Sequence, residues 1–189
     1  MKRSDLTNAA QTFSQKIKNT WQIFFLPSVL IYGATLLHLF YTNPVTRSSL
    51  NSTLRNIDLI SFIIAIGLAL IIFNMKRKYF SRRFSRDMVE DLLQKDPDMD
   101  EQNLLKKILG KLRGKMAIVW VLGLLIVLDG VIFYWITYND GNMHIYFIIG
   151  AFSQLINYPR KDLFLELPWY VVEGRKDFER GEIANDQHQ

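Results

Sequence analysis

The feature that most constrains this chain is the uneven placement of its charges. The 23 Lys and Arg and the 18 Asp and Glu leave long stretches with almost no charge. A helix needs ~20 apolar residues to cross ~30 Å of hydrocarbon, and a globular core rarely contains apolar runs of that length. The pattern therefore predicts an integral membrane protein. The strongly apolar stretches are Trp21–Tyr41, Ile57–Met75, Met116–Tyr138 and Met143–Tyr158.

Each apolar stretch is expected to form an α-helix, because backbone groups in lipid must be hydrogen-bonded within their own segment. The predicted fold class is an all-α integral membrane protein with four transmembrane helices in an antiparallel bundle. The fourth stretch is short and relies on its interfacial flanks. Because the chain has no cysteine, disulfides and thiolate metal sites are excluded.

The distribution of cations predicts the orientation in the membrane. Of the 23 Lys and Arg, 21 lie in residues 1–20, 76–115 and 159–189, and two lie in the connection 42–56. By the positive-inside rule, the first three segments face the cytoplasm and 42–56 is an outer loop. Both termini are thus expected to be cytoplasmic. The spans form one transmembrane hairpin at 21–75 and a second at 116–158.

The connection 76–115 has a helical periodicity of its own. Apolar residues recur about every four positions in Lys76–Lys95 and in Asp98–Lys115, and Asp96-Pro97-Asp98 separates the two. We expect a cytoplasmic amphipathic helical hairpin between spans two and three, with Asp98 or Asp100 capping its second helix. Its apolar stripes are expected to pack on each other.

Basic residues interleaved with aromatic ones open this connection. In a position next to a span, such a run favours binding to the anionic headgroups of a lipid bilayer, and it gives no reason to expect nucleic acid. The candidate lipid-headgroup residues are Lys76, Arg77, Lys78, Arg82 and Arg83.

A further apolar segment, 163–172, follows the four long stretches and Pro159. It is too short to span a bilayer, so it either lies in the interface or docks on another protein. Residues 173–189 are polar and are expected to form a loose tail. The candidate docking residues are Leu163, Phe164, Trp169 and Tyr170.

Local patterns between residues 105 and 167 resemble a known family. Leu128-Asp129-Gly130-Val131-Ile132-Phe133 places an acidic-Gly pair before apolar and aromatic residues, Asn139–Asn142 forms a short turn, and Tyr158-Pro159-Arg160-Lys161 follows the fourth span. This order resembles the second half of an uncharacterised family of small four-span membrane proteins of Bacteroidota-type bacteria. The resemblance implies the four-span fold and a location in a bacterial inner membrane. It implies no activity.

Asp129 is the residue that most suggests chemistry. It lies near the middle of the third span, where a charged carboxylate costs at least ~2.5–3.5 kcal/mol. One interpretation is a protonated carboxyl hydrogen-bonded to a neighbouring helix, with Gly130 permitting close approach. The other is an ion- or proton-binding group of a transporter. Tyr32 lies at nearly the same depth in the first span and Thr35 about one turn away, so both are predicted partners.

Two histidines and a polar stripe complete the candidates within the spans. His38 and His144 lie near the outer membrane face. One interpretation is that they ligate a haem or, together with Asp140, a divalent metal. The second is that they hydrogen-bond to headgroups and water. The second interpretation predicts no cofactor and no metal. Gln154 and Ser153 in span four are expected to serve helix packing.

No arrangement typical of a catalytic site is evident, so we expect no enzyme. The leading hypothesis is a non-catalytic membrane subunit or scaffold of a larger or homo-oligomeric assembly, which contacts protein subunits through its cytoplasmic hairpin and C-terminal apolar segment. The alternatives are a small oligomeric ion or proton channel or transporter using Asp129, and a haem-binding redox subunit using His38 and His144. Asn51-Ser52-Thr53 also matches a glycosylation sequon.

Overall fold

The computed structural model describes residues 3–42 and 52–186. These residues are 92% helical and contain no strand, which confirms the all-α class. The helices are α1 (Arg3–Thr42), α2 (Ser52–Tyr79), α3 (Arg82–Lys95), α4 (Glu101–Thr137), α5 (Asp140–Ile156), α6 (Lys161–Leu165) and α7 (Leu167–Asp186).

Three helices are long and apolar enough to cross a membrane, namely α1, α2 and α4. The expected fourth span corresponds to α5, which has 17 residues. At ~1.5 Å per residue this helix is about 25 Å long, less than the ~30 Å of a typical hydrocarbon core. Length and composition therefore identify three candidate spans, and a fourth stays a prediction.

The expected amphipathic helix at 76–95 is broken in two. Helix α2 ends at Tyr79, and α3 begins after Ser81, whose backbone is extended and whose hydroxyl accepts a hydrogen bond from the Phe84 amide (3.2 Å). This is the N-cap arrangement that satisfies a free amide at a helix start. The single helix predicted from apolar periodicity was wrong, because the periodicity continues through the cap.

The second amphipathic stretch and the third span form one continuous helix, α4. Asp100 precedes its first residue, and its carboxylate accepts a hydrogen bond from the Gln102 amide (3.3 Å). Of the two predicted capping residues, Asp98 and Asp100, it is Asp100 that caps this helix.

The chain divides into two compact units. We name them the polar unit, which comprises Met1–Asn19, Arg77–Lys115 and Pro159–Gln189, and the apolar unit, which comprises Thr20–Lys76 and Met116–Tyr158. Helices α1, α2 and α4 each contribute residues to both.

The polar unit has an apolar core of its own. Helix α3 packs along α7, and Phe13 of α1 meets the ring of Phe164 edge-on at 5.6 Å. Met88, Leu92 and the predicted stripe of α4 are buried, whereas Phe80 and Phe84 are half-buried. Helices α1, α6 and α7 share this core, so pairing of the two stripes as an isolated hairpin stays a prediction. Core side chains at most 1% exposed include Leu6, Ile17, Leu93, Leu104, Ile108, Leu112, Phe164, Leu167 and Val171.

The prediction of a loose tail after residue 172 is wrong for residues 173–186. These residues belong to α7, whose Gly174 lies so close to α3 that an added Cβ would be 2.7 Å from the Val89 side chain. Arg175 forms an exposed pair with Glu179 one turn later (3.1 Å) and donates to the Met99 carbonyl. Composition missed this helix, because its stability comes from packing on α3.

The apolar unit has an apolar surface. Of the 30 exposed large apolar side chains among the described residues, 28 belong to it. Its interior combines buried apolar side chains such as Trp120 and Val127 with six buried polar residues. Half of the most apolar part of α4 is buried, against 11% for α1 and 17% for α2, so α4 is the central helix. The buried polar residues are Ser28, Thr35, Ser61, Thr137, Gln154 and Asn157.

Close contact between α4 and α5 depends on glycine. A Cβ at Gly150 would lie 2.6 Å from the Gly123 carbonyl oxygen, and one at Gly130 would lie 2.6 Å from the Tyr146 Cβ. Small residues allow two helix backbones to approach in this way.

We therefore expect Gly150→Ala to destabilise the protein by about 1–3 kcal/mol, the usual cost of overpacking. The matched control is Gly67→Ala in α2, where an added Cβ meets nothing within 4 Å. This control should be neutral or stabilising by up to about 1 kcal/mol, because alanine favours a helix over glycine. Unfolding of both variants in one detergent measures the difference, and equal effects would contradict the close contact.

Candidate functional site

Asp129 is hydrogen-bonded to helix α2. The hydroxyl of Ser61 donates to its Oδ2 at 3.0 Å, and the carboxyl is half-buried. Tyr146 in α5 lies close to Gly130, the residue that follows Asp129. The contact between the carboxyl and the serine therefore joins α4 to α2, with α5 packed beside it.

The predicted partners of Asp129 were wrong. Thr35 donates to the Ile31 carbonyl one turn earlier in its own helix (2.9 Å), and the Tyr32 hydroxyl lies 2.8 Å from Nδ1 of His144. Equal depth in the membrane selected these residues, but depth does not fix the direction in which a side chain leaves its helix. The hypothesis that Asp129, Tyr32 and Thr35 form one ion site therefore has no support in these contacts.

Each of the two histidines contacts a tyrosine on another helix. His144 Nδ1 faces Tyr32, whose ring stacks on Phe147 with centroids 3.7 Å apart. His38 Nδ1 lies 3.2 Å from the hydroxyl of Tyr134. Asp140 is 4.0 Å from His144 Nε2.

Both contacts use Nδ1, and a metal-ligating histidine commonly hydrogen-bonds one ring nitrogen and ligates with the other. The haem hypothesis therefore stays a prediction. In the two described ranges, no group of three or more His, Cys, Asp or Glu residues is placed to hold a metal ion.

Gln154 joins three helices of the apolar unit. Its fully buried side-chain nitrogen donates to Ser28 Oγ in α1 and to the Trp120 carbonyl in α4, both at 3.0 Å. Its backbone carbonyl accepts from the indole of Trp21 (3.1 Å). The other predicted packing residue, Ser153, contributes its carbonyl, which accepts from the Asn157 amide nitrogen at 2.7 Å.

A groove between α2 and α5 contains a further polar pair. The Asn142 amide donates to Asp58 Oδ1 at 2.7 Å, and both side chains line a cavity of about 470 Å³ together with Arg55 and Tyr146. Tyr146 thus lines this cavity and also lies close to Gly130, the residue that follows Asp129. Asp58 and Asn142 were not predicted from the sequence. Their signal there is a polar residue near one end of the second apolar stretch and another near one end of the fourth.

The predicted lipid-headgroup residues are exposed where their side chains are described. Lys76, Arg77 and Lys78 are exposed at the end of α2, and Arg83 forms an exposed pair with Asp87 (4.0 Å). The side chain of Arg82 and the sequon residue Asn51 lie outside the described parts of the chain.

The predicted docking segment is largely internal, which corrects the sequence analysis. Phe164 is fully buried and Tyr170 is 8% exposed, because α6 and α7 pack inside the polar unit. Leu163 is half-buried, and Trp169 retains 38% of its surface. Arg86 lies 5.7 Å from the Trp169 ring centroid and 5.4 Å from that of Tyr170.

No protein-family model, no curated protein and no solved structure matches this chain.

The Asp129 contact predicts a specific coupling energy. Asp129→Leu should cost ~0.6–2 kcal/mol, because Ser61 loses its acceptor, and Asp129→Asn should be nearly neutral, because a carboxamide oxygen still accepts. In a double-mutant cycle, Ser61→Ala should be coupled to Asp129→Leu, whereas Thr35→Ala should add independently. Steric trapping in one detergent measures these energies. Coupling to Thr35 rather than Ser61 would contradict the contact.

Proposed function

We propose that this protein is a non-catalytic integral membrane subunit or scaffold. Its apolar unit is an antiparallel four-helix bundle in the bilayer, and its polar unit is a cytoplasmic helical domain. The observation that carries this proposal is the apolar surface of this unit, which exposes 28 large apolar side chains among the described residues and keeps polar ones such as Gln154 and Ser61 inside. In water such a surface would be unfavourable, whereas in lipid it is expected.

A transmembrane α5 is supported by its surface and its contacts. Its exposed large side chains before Tyr158 are all apolar, and it is hydrogen-bonded to α1, α2 and α4 through residues such as Gln154 and Asn142. A span of 17 residues is accommodated by local thinning of the bilayer or by interfacial side chains. Contacts of Gly123 with Gly150 and of Gly130 with Tyr146 support an antiparallel pairing with α4.

The orientation rests on the positive-inside rule. The segments of the polar unit carry most of the cations, which favours a location on the cytoplasmic side of a bacterial inner membrane for both termini and this unit.

A role as a subunit is supported by the construction of the polar unit. Three separate segments of the chain form one packed body, whose exposed large apolar side chains among the described residues are Leu165 and Trp169. Exposed aromatic side chains are frequent anchors in protein interfaces. We therefore propose that the Leu165 and Trp169 surface, rather than Phe164 and Tyr170, contacts another chain or a second copy of this one.

Purification from native membranes in a mild detergent should yield a species heavier than the 22.2 kDa single chain. Native mass spectrometry gives the mass and identifies the partner. Trp169→Lys should reduce the assembled fraction several-fold, because a charge replaces an apolar anchor. Gln94→Lys, an exposed site on α3, is the matched control. A lone monomer at native expression would contradict the proposal.

A second function, a proton or cation conductor, is favoured by Asp129, a half-buried carboxyl near the middle of a proposed span that accepts a hydrogen bond from Ser61. Tyr146, which lines a cavity with Asp58, lies close to Gly130, the residue that follows Asp129. Such carboxyls frequently bind protons or cations in transporters. Flux into liposomes that falls with Asp129→Asn, which removes the charge and keeps the shape, would favour this function. Unchanged flux would exclude the carboxyl as the ion site.

A further inference from the structure

Two ammonium groups from different helices lie over one aromatic ring in the polar unit. The Nζ of Lys78 is 5.4 Å from the ring centroid of Tyr79, and the Nζ of Lys115 in α4 is 4.5 Å from it. Phe84 meets the same ring edge-on, with centroids 5.1 Å apart at 81°. The ring is thus held between α3 and two lysines.

Among the described residues, this pair of cations has no carboxylate partner at ion-pair distance. Within residues 3–42 and 52–186, the ion pairs involve other cations, such as Arg83 with Asp87 and Lys95 with Asp91. The sequence contains no Asp or Glu from Leu59 to Arg86 or from Gln102 to Leu128. The described surroundings therefore provide no anion for Lys78 and Lys115.

The protein's own dipoles compensate this charge only in part. Tyr79 is the last residue of α2, and a helix C-terminus carries roughly half an elementary negative charge. A ring face attracts each cation, but it does not cancel the repulsion between the two. A bound anion from outside the chain would complete the arrangement.

The position of these residues along the chain indicates the source of that anion. Lys78 and Tyr79 directly follow the apolar stretch that ends at Met75, and Lys115 directly precedes the one that begins at Met116. Lysine and tyrosine at the ends of spans lie at the level of lipid headgroups. Both sequence positions therefore correspond to the same membrane surface.

We propose that Lys78, Tyr79 and Lys115 form a binding site for the phosphate of an anionic phospholipid in the cytoplasmic leaflet. The two ammonium groups bind the phosphate oxygens, and the tyrosine ring holds both lysines in place. This site rests on the proposed membrane location. It differs from the run predicted from sequence, because it includes Lys115 and does not require Arg82 or Arg83.

The test uses the full-length protein in nanodiscs of phosphatidylcholine containing a small fraction of phosphatidylglycerol. Native mass spectrometry counts retained phosphatidylglycerol. Lys78→Gln with Lys115→Gln should weaken its retention about 30-fold, since each cation at a membrane surface contributes roughly fivefold. The matched control is Lys106→Gln with Lys107→Gln, which removes the same charge from exposed positions of α4. Tyr79→Leu keeps an apolar side chain and should weaken retention several-fold.

The possible outcomes separate the proposals. Equal loss in the two double variants, or no preference for phosphatidylglycerol over phosphatidylcholine, would overturn the site. Displacement of the lipid by millimolar inorganic phosphate would show a phosphate site instead of a lipid site. Failure of the wild type to enter nanodiscs would contradict the proposed membrane function itself. Circular dichroism of each variant checks that its helices are intact.

Discussion

Polar side chains within long apolar helices must find hydrogen-bond partners on other helices, and this requirement organises the apolar unit. Gln154 bonds to groups in α1 and α4, and Asp129 accepts from Ser61 in α2. In hydrocarbon there is no water to replace a lost partner, so each bond also fixes which faces of two helices meet. Gln154 and Asp129 thus connect all four helices of this unit, α1, α2, α4 and α5.

Helix α4 belongs to both units, and it exposes different kinds of side chain in each. In the polar unit α4 buries Leu104 and Ile108 and exposes Lys106 and Lys107, as a helix in water does. Further along the same helix, Ile118 and Leu125 are exposed, and the polar contact is made by Asp129 on a partly buried face. The change occurs without a break in the helix, which explains why the third span and its amphipathic extension were both predicted well.

Sequence patterns predicted helix content better than they predicted which side chains are neighbours. The apolar stretches, the cap at Asp100 and the all-helical class follow from local residue chemistry. Ser61 could not be selected over Tyr32 as the partner of Asp129, because consecutive residues on a helix point ~100° apart and one sequence does not fix the rotation of a helix against its neighbours. For the same reason, the packing of α7 on α3 could not be predicted, and the polar segment that forms α7 was expected to be a loose tail.

In the proposed topology, four helices cross the membrane and the polar unit lies in the cytoplasm. Because the chain has no cysteine, single-cysteine variants can be labelled without background. We predict that a membrane-impermeant maleimide labels Asn51→Cys and Gly141→Cys from outside intact cells, and labels Asp98→Cys and Arg160→Cys only after permeabilisation. Labelling of Gly141→Cys and Arg160→Cys from the same side would show that α5 does not cross, and external labelling of Asp98→Cys would contradict the orientation.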